Sequence, residues 1–290
     1  MSRYQELIRQ FNLELECRKY AASTIATYSS CLGVFLKAMN GKPKPLPLDE
    51  IKLFLSGIKN QNYHKQFTAS ILHFYKLVLK QPLSLADIPY PRATDYLPEI
   101  FSVTEINSLV NSYSNLKHRA IIQLFYSCGL RIGEIVNIEL SHINSSRKLL
   151  RVAGAKGFKD RDVPIPEATL ELLKSYYIAE IKKPKKWLFE GQHSEQYSVR
   201  SVQQVFWQGV KRIGIKRKVK PHSLRHSRAT HLHEVGMSLK DIADFLGHAQ
   251  LKTTADYYLR LSKFTLINRI TAADKILNQV FKAELLIHNS

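Results

Sequence analysis

The chain has 290 residues, 44% of them hydrophobic, with 43 Lys and Arg against 24 Asp and Glu, a formal net charge of +19. This is length for about two domains of roughly 100–200 residues each, and the apolar content excludes a disordered chain. No apolar run nears the roughly 20 residues that cross a bilayer, Arg3, Glu6 and Arg9 interrupt the stretch where a secretory leader would be apolar, and the odd set Cys17, Cys31 and Cys128 lacks metal-ligand spacing, so buried free thiols in a reducing cytoplasm are expected.

Arg3 to Cys17 places Leu7, Phe11 and Leu15 at helical spacing, with Ile8 beside them, which predicts a first helix. Ser23 or Thr24 is the expected N-cap of a second, whose apolar side carries Ile25, Tyr28, Leu32, Phe35 and Leu36. Pro43, Pro45 and Pro47 break the pattern, and Asp49 then leads a short amphipathic stretch through Ile51, Phe54, Leu55 and Ile58. Gln66 to Leu79 gives a fourth helix on Phe67, Ile71, Phe74, Tyr75 and Val78. Pro82, Pro89, Pro91 and Pro98 stand in a stretch almost without periodicity, an extended linker at a domain boundary. Thr104-Glu105 announces the next helix, and helical character continues through Tyr126. Between Leu140 and Pro166 the period changes. Leu149 to Val152, a Gly-rich turn, and Arg161 to Ile165 read as strand, turn and strand. Helical periodicity returns after Pro166. The predicted fold is mainly α: an N-terminal helical bundle over 1–92 and an α-rich domain over 97–290 with a small antiparallel β-sheet.

Charge is spread over both parts. Up to Arg92 there are 13 basic and 6 acidic residues, a net of +7; after it there are 30 and 18, a net of +12. A basic tail on a neutral body would not look like this, and solubility alone does not require it. A polyanion touched by both domains does, with nucleic acid the leading candidate.

Several positions in the second part stand out together. Arg131 follows Cys128-Gly129-Leu130, where a glycine turn delivers it to the start of a helix. Lys156 lies in the turn Gly154-Ala155-Lys156-Gly157. His222 and Arg225, three apart, share a helical face. His248 follows a helix-ending glycine in Leu246-Gly247-His248, and Tyr257 comes nine residues later. Singly these are a surface cation, a solvated lysine and a half-buried tyrosine. In this order, Gly-Leu-Arg131-Ile-Gly-Glu134, Lys156-Gly, His222-x-x-Arg225, Leu-Gly-His248 and Tyr257 resemble the signature of the tyrosine recombinase (phage integrase-like) family. LGHAQLKTTADY from Leu246 and PHSLRHSRATHL from Pro221 are its most specific stretches, and STIATYSSCLGVFL from Ser23 is similar to the family's helical DNA-clamping domain.

The resemblance implies a SAM-like core-binding domain followed by a catalytic domain, closing around double-stranded DNA as a clamp. It implies that Arg131 and Arg225 clamp the scissile phosphate, that His222 and His248 donate to it, and that Tyr257 attacks phosphorus to leave a 3′-phosphotyrosyl bond. A phosphodiester needs such a set, because charge grows on its equatorial oxygens and arginine meets it with a fork that never loses its proton. Lys156 is the expected general acid, with Lys159 its competitor in the same turn. Tyr258 adjoins Tyr257, but helix neighbours point about 100° apart, and family spacing selects Tyr257. The covalent bond conserves the phosphodiester energy, so no metal, ATP or other cofactor is expected. His222 and His226 stand four apart as in a zinc helix, yet no Glu follows the first. Glu134, three residues after Arg131, is expected to orient a guanidinium or to form an ordinary surface ion pair. Type IB topoisomerases share the chemistry, but the clamp-like first domain and Xer-like length favour recombination at a specific target site through a Holliday junction. No room is left for a further N-terminal arm-binding domain. The expected assembly is a homotetramer on two duplexes, cytoplasmic and nucleoid-associated, with no membrane. The apolar stripe of Ile276, Leu277, Val280, Phe281 and Leu285 either packs back on its own domain or, as the resemblance implies, passes to a neighbouring protomer.

Overall fold

In the computed structural model, Asn60, Ser102, Asn115, Ser198 and Ser238 each open a helix by accepting a backbone N–H of its first turn with the side-chain oxygen. The structure describes residues 3–39, 47–92, 99–153, 160–191 and 195–247, and the chain divides into two units, Met1–Asp95 and Tyr96–Ser290.

The first unit holds α1 (Arg3–Cys17), α2 (Ala22–Ala38), α3 (Leu48–Ser56) and α4 (Gln61–Leu77). Phe11 and Leu15 of α1, Leu32, Phe35 and Leu36 of α2, Ile51 and Leu55 of α3, and Ile71 and Phe74 of α4 form one core. The apolar stripes read from the sequence are the packed faces. Three details differ. Helix α2 starts at Ala22 with Ala21 as a cap that uses no side chain, so Ser23 and Thr24 lie inside the first turn and Thr27 bonds back to the Ser23 carbonyl. Helix α4 starts five residues before Gln66, because Asn60 accepts from the amides of Asn62 and Tyr63. The linker does not leave the bundle at Pro82: Asp87 folds back on the Ser84 amide (2.8 Å) and hydroxyl, and Ile88 is buried in the bundle core. Of the thiols, Cys31 and Cys128 are buried, but Cys17 is exposed because it ends α1 on the solvent side.

The second unit is built around α6 (Leu116–Ser127), whose Ile121, Ile122, Leu124 and Phe125 are fully buried. Before it comes α5 (Val103–Asn111), opened by a capping box of Ser102 and Glu105. The sequence read these as one continuous run. Asn115, capping α6 through the His118 amide, divides them. After α7 (Ile132–Val136) and a short 3-10 turn come β1 (Ile143–Asn144), β2 (Leu149–Val152) and β3 (Arg161–Pro164) in antiparallel order β1-β2-β3. Leu150 faces Val163 and Val152 faces Arg161 across β2 and β3. Then follow α8 (Glu167–Ala179), α9 (Val199–Arg212), α10 (His222–Glu234) and α11 (Leu239–Leu246). Eleven α-helices and one three-stranded sheet make the described fold mainly α, as expected. None of the described helices is long and apolar enough to cross a membrane.

Candidate active site

Two glycine turns meet at the centre of the second unit. Gly129 ends α6 with φ +56°, and Gly247 ends α11 with φ +65°, both in the left-handed region that favours glycine. A Cβ on Gly129 would stand 2.8 Å from Leu246 and 2.9 Å from Phe245, so side chains there bring the two helix ends together. The first turn places Arg131 at the N-cap of α7.

The end of α11 then does something a helix C-terminus is suited to. Its last carbonyls lack intrahelical partners and carry the negative end of the helix dipole. Three successive ones each accept from a different arginine: Phe245 O from Arg161 Nε at 3.0 Å, Leu246 O from Arg225 Nη2 at 2.6 Å, and Gly247 O from Arg131 Nη2 at 3.0 Å. Arg225 also donates to Gly129 O at 2.6 Å, which locks α10 onto the other glycine turn.

Among the described residues, Glu134 is the carboxylate that the ion pairs of all three arginines share. It accepts from the Arg131 amide (2.7 Å) and Nη1 (2.8 Å), and from Nη1 and Nη2 of Arg161 (2.9 Å each), and stands 4.0 Å from Arg225. Burial alone would raise its carboxyl, but the Arg161 hydrogen bonds, the Arg131 amide and the surrounding charge outweigh it and hold Glu134 at about 2. Arg225 is 1% exposed. Burial first, then the charge of Arg131, push its guanidinium down to about 9, so it stays charged at neutral pH. Among the described residues, three guanidiniums against one carboxylate leave an excess of positive charge, the electrostatics of an anion site.

His222 opens α10, one turn before Arg225, and is exposed. Desolvation by the protein around the ring, then the charges of Arg225 and Arg131, hold the imidazole below the ordinary histidine range. A neutral ring donates one N–H and accepts at the other nitrogen. Its neighbour His226 packs edge to face against it, ring centroids 4.6 Å apart.

Residues 99–263 match the family model for the phage integrase family. The chain belongs to that family. It is 31% identical to the tyrosine recombinase XerC of Syntrophus aciditrophicus over 87% of this chain and 92% of that one, and 30% identical to the tyrosine recombinase XerA of Pyrococcus furiosus over 87% and 88%. By class it is a tyrosine recombinase. A lambda integrase tetramer bound to a Holliday junction shares the fold with a TM-score of 0.69 at 17% identity, covering 87% of this chain and 76% of that one.

Of the site residues read from the tyrosine-recombinase resemblance, the fold brings Arg131, His222 and Arg225 to one place, from α7 and α10. Lys156, Lys159, His248, Tyr257 and Tyr258 lie outside the described residues. Glu134 lies between the guanidiniums of Arg131 and Arg161 and accepts from both. Arg161 was not anticipated. Its signal was the strand alternation, which puts Arg161 on the same inward face as the buried Val163 and Ile165.

Proposed function

We propose that this tyrosine recombinase is a simple two-domain, site-specific DNA recombinase in which residues 1–92 and a catalytic domain of residues 97–290 both bind duplex DNA. The observation that carries the reading is the cluster of Arg131 and Arg225, delivered by helices distant in sequence and each held by protein acceptors, Arg131 by Glu134 and Gly247 O and Arg225 by Gly129 O and Leu246 O. Such preorganisation is what stabilises charge developing on a phosphoryl group, since no reorganisation is needed at the moment of reaction.

In this reading Arg131 and Arg225 hold the non-bridging oxygens of the scissile phosphate, and His222 and His248 donate further hydrogen bonds. The Tyr257 oxygen attacks phosphorus as its hydroxyl proton passes to solvent, the P–O5′ bond breaks, and Lys156 protonates the departing 5′ oxygen. The product is a 3′-phosphotyrosyl bond and a free 5′-hydroxyl. Attack by the 5′-hydroxyl of a partner strand reverses the step and builds a Holliday junction, with no metal or ATP. Four copies on two duplexes carry out the exchange, in the cytoplasm on nucleoid DNA. The assembly of the lambda integrase neighbour, a tetramer on a Holliday junction, and the net charge of +19 support the DNA and assembly parts.

Tyr257→Phe tests the chemistry on a nicked suicide substrate. The variant retains DNA affinity and forms no denaturant-resistant protein–DNA band. A band at the wild-type level would move the nucleophile to Tyr258 or elsewhere.

A further inference from the structure

Arg161 opens β3, and its side chain is 8% exposed. Each of its three nitrogens donates to protein: Nε to Phe245 O of α11, Nη1 and Nη2 to the two oxygens of Glu134. One side chain thereby joins the strand that follows the Lys156 turn, the helix start that carries Arg131, and the helix end that precedes His248. An ordinary ion pair on the same sheet looks different. Arg151 meets Asp160 through one nitrogen at 3.1 Å, with both side chains more than half exposed, the kind of pair that contributes little.

The glycine before His248 fits the same device. A Cβ on Gly247 would stand 2.9 Å from both Cδ and Nη1 of Arg161. Leu-Gly therefore does two things at once, ending α11 in a left-handed turn and leaving the passage through which Arg161 reaches Glu134. Glu134 in turn holds the amide and Nη1 of Arg131. Without Arg161, Glu134 would keep its hydrogen bonds to Arg131 and, at 4.0 Å, the Arg225 guanidinium, but nothing among these bonds would tie β3 to α7.

We infer that Arg161 is a positioning residue for strand cleavage, one that aligns Arg131 through Glu134 and fixes the α11 end, and makes no contact with the phosphate itself. This rests on the reading under Proposed function. The planar fork is essential to it, because lysine offers a point charge that cannot serve two carboxylate oxygens and a carbonyl together.

Arg161→Ala, Arg161→Lys, Glu134→Gln and Arg131→Ala, compared in single-turnover cleavage of a nicked suicide substrate, test it. Rates are taken at a temperature where circular dichroism shows every variant folded, and DNA affinity is measured beside them. Arg161→Ala should bind DNA as the wild type does and cleave about 100-fold more slowly, the loss typical of reacting groups misplaced by about 1 Å. Arg161→Lys should regain only part of the rate and carries the test if the alanine variant does not fold. Adding Glu134→Gln to Arg161→Ala should slow cleavage no further than the slower single variant. Folded Arg161→Ala cleaving at the wild-type rate would overturn the inference, as would equal losses in affinity and cleavage, which would make Arg161 a phosphate contact. Arg131→Ala separates the two levels: if it too cleaves normally, the site reading fails; if it is inactive while Arg161→Ala is active, only the positioning role fails.

Discussion

Replacing Glu134 with Gln keeps the shape of the side chain and removes its charge. The native carboxylate is 8% exposed and accepts four hydrogen bonds from Arg131 and Arg161. Against the opposing effect of burial, the Arg161 bonds and the Arg131 amide bring it from the ordinary 4.5 to about 2. At about 1.4 kcal/mol per pH unit, this corresponds to about 3 kcal/mol of stability. Orphaning one partner of a buried pair costs about 3–5 kcal/mol, a similar size. Because the folded value is depressed, the stabilisation is complete above the unfolded value of 4.5 and is lost as the pH falls through about 2. Urea unfolding at neutral pH should therefore place Glu134→Gln about 3 kcal/mol below the wild type. The gap should narrow on acidification below 4.5 and close near 2. A neutral-pH gap under about 1 kcal/mol, the size of an exposed pair, or a gap unchanged by acid, would refute the shared-carboxylate account.

Gly247→Ala should lose about 1–2 kcal/mol from its left-handed backbone, visible as a lower urea midpoint, and should slow cleavage as Arg161 is displaced; a variant with the wild-type midpoint and rate would contradict both effects. Cleavage should survive excess chelator, since fixed guanidiniums and imidazoles carry the charge stabilisation; activity lost in chelator and restored by zinc would point back to His222 and His226. Deleting residues from Ala272 onward should leave single-site DNA binding intact and abolish pairing of two target duplexes in light scattering or native gels. A truncated chain that still pairs them would show that the segment serves its own protomer.

The bundle was legible because its helices bury simple stripes: Phe11 and Leu15, or Ile71 and Phe74, are spaced by the helical period and have no competing role. Helix starts were read less well. The side chain that caps a helix is set by backbone angles at one residue, and Ser23 and Asn60 look alike in sequence while only Asn60 caps. Strand β1, two residues long, offers no period to read. At the site, the order of motifs announced Arg131, His222 and Arg225, because those residues stand beside glycines and helix starts that punctuate the chain. Arg161 stayed hidden because its partners, Glu134 and the Phe245 carbonyl, are distant in sequence, and one of them is a backbone atom that no residue type reveals.

Under the proposed mechanism one tyrosine becomes covalently joined to DNA. Trapping the wild-type protein on a nicked suicide substrate, digesting the adduct and sequencing the DNA-linked peptide by mass spectrometry identifies that residue. The expected adduct is a phosphotyrosine at Tyr257 bearing the 3′ end of the cleaved strand. A linkage at Tyr258, at a serine, or to the 5′ end would contradict it.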